Sequence, residues 1–172
     1  MTNEDLQLVV PTVRLERSFR AMAREYADVG EHSYQDLPED FAGYVGRLLD
    51  DAGGVRLEPG LVPASTFWLI RDGREVVGVV RIRHELNEHL LVTGGHIGYD
   101  IRPGQRRKGY GRRLLALAKD KARELGIGQA LLTCREDNVP SARIIEANGG
   151  VLADVIDSEL MKCRMKRYWI DL

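Results

Sequence analysis

The sequence is poor in three features that would point to particular classes of protein. It has only two cysteines in 172 residues, and their spacing matches no metal-binding motif. Its formal net charge of −1 provides no overall positive field for binding a nucleic acid. No stretch approaches the roughly 20 consecutive apolar residues that a membrane-spanning helix needs. These absences predict a cytoplasmic protein with reduced thiols, no metal, no nucleic-acid partner and no membrane association.

The residues that are present are typical of a globular domain. Hydrophobic residues make up 44% of the chain and charged residues 30%, and we expect residues 1–172 to form a single domain. Strand and helix patterns follow each other in the order strand, two helices, strands, helix, strand, helix, strands. Leu90 to Thr93 is assigned to a strand in this reading. The order predicts an α/β (α+β) fold with a mixed sheet.

The segment from His96 to Lys121, HIGYDIRPGQRRKGYGRRLLALAKDK, carries the clearest functional pattern. It contains a strand with alternating apolar residues, a turn, a basic loop and an amphipathic helix. Gly109 and Gly111 leave room for peptide N–H groups to surround an anion, and the helix adds its N-terminal N–H groups and positive dipole end. Five cations lie within eight positions of this loop: Arg106, Arg107, Lys108, Arg112 and Arg113. The combination predicts a binding site for a diphosphate.

Two common nucleotide-binding motifs do not fit this loop. The Walker motif requires a lysine after its second glycine, but Tyr110 follows Gly109. The dinucleotide motif requires a third glycine where Leu114 stands. The spacing that remains is Arg106-x-x-Gly109-x-Gly111, between a strand and a helix. It resembles the (Q/R)-x-x-G-x-(G/A) loop that binds the pyrophosphate of acyl-CoA in the GNAT acetyltransferase superfamily.

A second motif downstream supports the same resemblance. Asn138-x-x-Ser141 precedes a short helix, and GNAT proteins place an N-x-x-(A/S) segment after the strand that follows the pyrophosphate helix. Asn138 can equally be an ordinary helix cap. The strings VPASTFWLI and GGHIGYDIRPGQRRKGYG look like a bacterial subgroup of predicted acetyltransferases whose acceptor is unassigned. The resemblance covers residues 66–172, with a weaker fit before them.

This resemblance implies a GNAT-like mixed, mostly antiparallel central sheet flanked by about four helices, with acetyl-CoA as co-substrate. In that fold the pantetheine arm binds the edge of the strand before the basic loop. The residues carried over to cofactor binding are Ile101, Arg102, Arg107, Lys108, Gly109, Tyr110, Gly111, Arg112, Asn138 and Ser141. The implied reaction is direct attack of an acceptor amine, from a small molecule or a protein, on the thioester. Family habit also suggests a homodimer.

The catalytic side chains follow the family pattern less closely. Ile145 stands where many GNAT proteins have a tyrosine general acid, and Thr133 where some have a glutamate. Strand alternation places Tyr99 on the one face expected to line the cleft, which makes it the candidate acid. His84 and Glu85, at the end of an earlier strand, are candidates for receiving the amine proton. Because the usual pair is absent, the alternative function is a non-catalytic acyl-CoA sensor or interaction module on the same fold.

Overall fold

The computed structural model describes residues 5–172, which contain seven strands and five α-helices. The strands are β1 (Leu6–Val9), β2 (Ala64–Arg71), β3 (Glu75–Arg83), β4 (Ile97–Ile101), β5 (Gln129–Arg135), β6 (Val151–Ser158) and β7 (Cys163–Asp171). The helices are α1 (Glu16–Asp28), α2 (Phe41–Ala52), α3 (Glu88–Val92), α4 (Tyr110–Glu124) and α5 (Val139–Glu146). Within the described residues, no helix is long and apolar enough to cross a membrane.

The strands form two antiparallel sheets, of order β1-β2-β3-β4 and β5-β7-β6. The edges of β4 and β5 meet at one end only. There, just before β4, the His96 amide donates to the Leu131 carbonyl at 2.7 Å. Beyond this point the strands belong to different sheets, and a cleft borders the outer edge of β4. The mostly antiparallel α+β architecture predicted from the sequence is confirmed.

Two apolar clusters cover the two faces of the first sheet. Helix α4 packs on one face, where Val80 and Ile82 of β3 are fully buried. Helices α1 and α2 pack on the other face around Trp68, whose ring lies 4.6 Å from that of Phe19. Because side chains alternate along a strand, Arg81 belongs to the α1–α2 face of β3. This face becomes polar where the helices end, and it borders the cleft.

One segment differs from the sequence-based expectation. Leu90 to Thr93, which the pattern assigned to a strand, lies mostly within the short helix α3. The Asn87 side chain accepts the Leu90 amide at 2.9 Å and caps this helix. A local side-chain cap therefore outweighed the strand preference of the apolar run.

Gly95, at the junction of the two sheets, should not tolerate a side chain. Its φ is +59°, and an added β-carbon would lie far inside the contact distance of the Leu131 carbonyl oxygen. We expect Gly95→Ala to lower the free energy of unfolding by roughly 2–4 kcal/mol, from backbone strain plus overpacking. Gly126→Ala is the matched control, since Gly126 has a φ of +80° but nothing within 4 Å of the added carbon. If both variants lost the same free energy of unfolding in urea, the close approach of Gly95 to Leu131 would not be important for stability.

Candidate active site

The basic loop and the start of α4 form one wall of the cleft. Gly109 is the N-cap residue of α4, with a φ of +83° that favours glycine. Arg107 has a φ of +64°, so the loop is tightly wound. The first N–H groups of a helix have no acceptor within it, and here they belong to residues that line the cleft. The loop and the start of the helix have the backbone arrangement that suits an anion, and anion binding there stays a prediction from the sequence.

Gly111 lacks a side chain for a reason that the loop motif does not reveal. A β-carbon at this position would lie 2.6 Å from Cδ1 of Ile144 on α5. The glycine therefore allows α4 and α5 to approach each other closely. Its place in the motif reflects helix packing as well as access of the backbone to an anion.

A cleft of about 450 Å³ opens beside this loop, between the β4 edge and the start of α5. Seven of the ten predicted cofactor residues line it: Ile101, Arg107, Gly109, Tyr110, Gly111, Asn138 and Ser141. The proposed acid Tyr99 also lines it, together with Asp100 and Glu31. The structure thus brings both sequence motifs to one place.

Three predicted cofactor residues lie outside this lining: Arg102, Lys108 and Arg112. The Arg102 guanidinium donates to Glu25 Oε1 at 2.6 and 2.8 Å and is largely buried. Lys108 donates to the Gln105 side chain at 2.8 Å. The Arg112 side chain is exposed on α4. The geometry favours a structural role for Arg102, which holds the turn after β4 against α1.

Arg106 is also held by protein contacts. Its guanidinium donates to both carboxylate oxygens of Glu31, at 2.6 and 2.8 Å, and lies 5.4 Å from the centre of the Tyr26 ring. Hydrogen bonding to Arg106 lowers the pKa of Glu31. The Ile101 carbonyl accepts from Arg106 Nε at 3.1 Å and from the Tyr26 hydroxyl at 2.9 Å. Arg106 therefore orders the loop, and Arg107 is the cation of the loop best placed for a ligand.

The outer edge of β4 presents backbone groups to the cleft. In an antiparallel pair, alternate residues of a strand direct their N–H and C=O groups to the partner strand. The Arg102 N–H donates to the Val77 carbonyl on the β3 side. Tyr99 and Ile101 must therefore point their peptide groups away from β3. These two sets of groups are about 7 Å apart along the strand.

Tyr99 and Ser141 meet inside the cleft. The Tyr99 hydroxyl oxygen lies 3.0 Å from Ser141 Oγ, and burial raises the pKa of Tyr99 to about 12. The Asn138 side chain accepts the Ser141 N–H at 3.1 Å, so Asn138 is the N-cap of α5. The capping interpretation of this motif is confirmed, and the cap also fixes the serine beside the tyrosine.

The sequence pattern does not single out Asp100, yet it lies in the same cleft. Its side chain is on the face of β4 opposite Tyr99, and both faces border the cleft because β4 is the edge of its sheet. Asp100 Oδ2 lies 3.4 Å from the Tyr34 hydroxyl, and desolvation raises the pKa of the Asp100 carboxyl. None of the ion pairs in the described part of the chain includes it. The available sequence signal for Asp100 was that it is an acidic residue within an otherwise apolar strand.

His84 and Glu85 are not brought to this cleft. The β3–β4 register puts His84 roughly 13 Å from Tyr99 along the sheet, at about 3.3 Å per residue. His84 Nε2 lies 2.8 Å from Ser65 Oγ, and Glu85 is exposed. Their roles as proton acceptors stay predictions from the sequence.

A family comparison agrees with this geometry. The family model of the acetyltransferase (GNAT) family matches residues 19–149. The chain belongs to the GNAT family. A search of curated proteins found no match.

Solved GNAT structures share the fold over nearly the whole chain. The microcin C7 self-immunity acetyltransferase MccE, in complex with acetyl-CoA and AMP, superposes with a TM-score of 0.72 at 13% identity, covering 99% of this chain and 94% of its own. The ribosomal L7/L12 acetyltransferase RimL, in complex with CoA, gives 0.72 at 17% identity, with coverages of 97% and 94%. A spermidine N-acetyltransferase SpeG chimera from Vibrio cholerae and hSSAT gives 0.66 at 18%, with coverages of 96% and 95%. At these identities the likeness concerns the fold alone.

Asp100→Asn should stabilise this GNAT protein slightly at neutral pH, because Asp100 keeps enough solvent exposure to screen its charge in part. The raised pKa means that ionising Asp100 costs more in the folded state than in the unfolded state. This cost is present above the raised pKa and disappears as the pH falls below about 4, the ordinary range of aspartate. Asparagine removes the charge and keeps an oxygen for the Tyr34 hydroxyl. Urea unfolding should show that the variant has a higher free energy of unfolding than the wild type at pH 7, and that this difference shrinks towards pH 3.5. A lower free energy of unfolding at pH 7 would argue against the desolvation of Asp100.

Proposed function

We propose that the protein is an acetyl-CoA-dependent N-acetyltransferase that transfers the acetyl group by direct attack of an acceptor amine on the thioester. The observation that carries this proposal is the cleft between the edge of β4 and the start of α5. It combines an anion-binding loop, a strand edge with outward peptide groups and a half-buried tyrosine. Membership of the GNAT family supports the donor and the reaction class. The single domain, the cytoplasmic location and the homodimer stay predictions from the sequence.

In this proposal the cleft binds acetyl-CoA along its whole length. Arg107 and the N–H groups at Gly109, Tyr110 and Gly111 would hold the pyrophosphate. The pantetheine arm contains two amides, and the Tyr99 peptide groups and the Ile101 N–H are the proposed partners for them. The Ile101 carbonyl already accepts from Arg106 and Tyr26. This alignment directs the thioester towards the narrow end of the cleft, where the two sheets meet. An open strand edge suits such a ligand because it binds amides without requiring particular side chains.

Magnitudes show why the reaction does not require the usual acid and base. An alkyl amine has a pKa near 10.4, so presenting it unprotonated at pH 7 costs about 4–5 kcal/mol. Fixing two reactants together lowers the barrier by roughly 7–11 kcal/mol, whereas a general base raises the rate by about 10²–10⁴-fold. Proximity is the larger effect. Proximity can accelerate the reaction even though the two family positions supply no acid or base. Ile145 is buried in the core, and Thr133 accepts the Gly94 amide at 2.9 Å.

The proposed step forms a bond between the amine nitrogen and the acetyl carbon and breaks the carbon–sulfur bond. The departing thiolate needs a proton or a hydrogen bond, and the Tyr99 hydroxyl is the proposed donor because it stays protonated at neutral pH. The amine loses a proton to water or to a carboxylate at the cleft. The sequence candidates His84 and Glu85 would have to act through water, given their place at the end of β3.

The alternative, a non-catalytic acyl-CoA sensor, is favoured only by the missing tyrosine and glutamate at positions 145 and 133. The two functions differ in one observable. A sensor binds acetyl-CoA but releases no CoA thiol with any member of a broad amine panel, whereas an N-acetyltransferase releases thiol with at least one.

Arg107→Gly should weaken acetyl-CoA binding without destabilising the protein. Glycine adopts the φ of +64° more easily than arginine does, so the substitution relieves strain while it removes the cation. Loss of a charged hydrogen bond of about 1.5–3 kcal/mol predicts a Kd roughly 10–150-fold higher, measured by calorimetry. Arg123→Ala, at the far end of α4, is the control for charge and should bind like the wild type. Unchanged affinity in Arg107→Gly would remove the loop from the proposed site.

Tyr99→Phe should lower kcat by about a hundredfold, because the departing thiolate loses its hydrogen-bond donor. The Kd of acetyl-CoA should change little, since the peptide groups of residue 99 remain. Thiol release with the best acceptor of the amine panel measures the effect. His84→Ala and Glu85→Gln, assayed in parallel, test the sequence candidates. A kcat unchanged in Tyr99→Phe and lost in either of the others would reassign the proton transfer to the end of β3.

A further inference from the structure

The α1–α2 face of the first sheet carries a cation, Arg83, that no carboxylate of residues 5–172 neutralises. Arg83 is half-buried at the end of β3. Within residues 5–172 its guanidinium hydrogen bonds through Nη1 only, to the carbonyls of Gly94 and Gly95, each at 3.2 Å. None of the described ion pairs includes Arg83. Burying a charged group without a partner is costly, and a bound anion would relieve that cost.

Arg83 lines a cavity of about 270 Å³ that contains no carboxylate among its lining residues. Arg81 and His89 also line it. Arg81 is paired with Asp51 at 3.1 Å, which neutralises one of the two guanidinium groups. Arg83 keeps its full charge, and its Nε and Nη2 groups are in the fork arrangement that matches a carboxylate or a phosphate.

The Arg83 guanidinium also reaches the acceptor side of β4. A β-carbon at Gly98 would lie 3.6 Å from Arg83 Nη1 and would meet no other described residue outside its chain neighbours within 4 Å. The register pairs Gly98 with Arg81, and alternation places Asp100 on the same face two residues further on. A cation and an anion therefore flank an open stretch of strand about 7 Å long.

We propose that the acceptor is bipolar: its reacting amine binds at Asp100, and a carboxylate or phosphate about 7 Å from that amine binds at Arg83. This inference rests on the proposed acetyl transfer and specifies the class of amine that it uses. The two charges would orient the acceptor across Gly98 and hold its nitrogen at the cleft, where proximity supplies most of the rate enhancement. A diamine would place a second cation against Arg83, and a simple alkyl amine would leave Arg83 without a counter-charge.

Matched acceptors test the proposal in a thiol-release assay with acetyl-CoA. The pairs are 5-aminopentanoate with pentylamine, and 3-aminopropyl phosphate with 3-aminopropanol; 1,5-diaminopentane is the dicationic probe. We expect kcat/KM of the wild type to be at least about tenfold higher for the anionic member of one pair, as a charge-assisted hydrogen bond predicts. The pair that responds distinguishes a carboxylate acceptor from a phosphate acceptor. Equal values within both pairs, or preference for the diamine, overturn the inference and leave the N-acetyltransferase proposal standing.

Two substitutions assign the two ends of the acceptor. Arg83→Gln should lower kcat/KM about tenfold for anionic acceptors and leave neutral amines unchanged, whereas Arg83→Lys, which keeps the charge, should retain part of the preference. Asp100→Asn should lower kcat/KM for both kinds of amine alike. Arg74→Gln, on the exposed β2–β3 turn, is the control for charge. If Arg83→Gln binds acetyl-CoA normally and still prefers anionic acceptors, Arg83 is not the residue that binds the anionic group.

A binding measurement separates failure of this inference from failure of the proposed function. Inorganic phosphate should raise the melting temperature of the wild type bound to acetyl-CoA, and the rise should disappear in Arg83→Gln. If no amine is acetylated but this shift is seen, the transferase proposal fails and the anion site at Arg83 stands. If neither the shift nor the preference for anionic amines is seen, the anion site is wrong.

Discussion

The structure depends on one short junction between two sheets. The His96 amide donates to the Leu131 carbonyl, and His96 Nδ1 accepts the Leu131 amide at 2.9 Å, so one residue makes both connections. Gly95 permits this approach because a side chain there would collide with the Leu131 backbone. The preceding glycine adds a third connection, since the Gly94 amide donates to Thr133 Oγ1 at 2.9 Å. These bonds hold the start of β4 against β5, and the outer edge of β4 borders the cleft further along.

The proposed donor and acceptor sites differ in the kind of group that forms them. The donor side consists of backbone: helix N–H groups, a glycine cap and the outward peptide groups of an edge strand. The proposed acceptor site depends instead on charged side chains, Asp100 at the cleft and Arg83 in a separate cavity. Backbone geometry comes with the fold, whereas side chains can differ between two chains of the same fold. The likeness to MccE, RimL and the SpeG chimera, at 13–18% identity, therefore supports a shared fold and says little about the acceptor.

Local patterns allowed much of this site to be predicted. Alternating apolar residues identified β4, paired glycines and cations identified the loop, and Asn138 marked the start of α5. Partners distant in the chain could not be predicted. Arg106 and Glu31 are 75 residues apart and Arg102 and Glu25 are 77, so the loop motif alone cannot show that both arginines are taken by protein.

The acceptor side was harder to predict for a related reason. The significance of Asp100 depends on β4 being the edge of its sheet, which follows from the strand order and not from the strand itself. The significance of Arg83 depends on the absence of a carboxylate nearby, which no local pattern reports. Helix α3 shows the same limit on a smaller scale, because a single asparagine cap changed the structure of an apolar run.

The contacts of Arg106 also connect the donor loop to helix α1. Tyr26 lies in the last turn of α1 and Glu31 just beyond its end, and the Tyr26 ring centre lies 5.0 Å from that of Tyr34, whose hydroxyl is 3.4 Å from Asp100 Oδ2. Packed side chains therefore connect Arg106 to Asp100. Under the proposed function these contacts join the cofactor loop to the amine site. Because coupling between two sites is reciprocal, each substrate would then change the affinity for the other by the same factor.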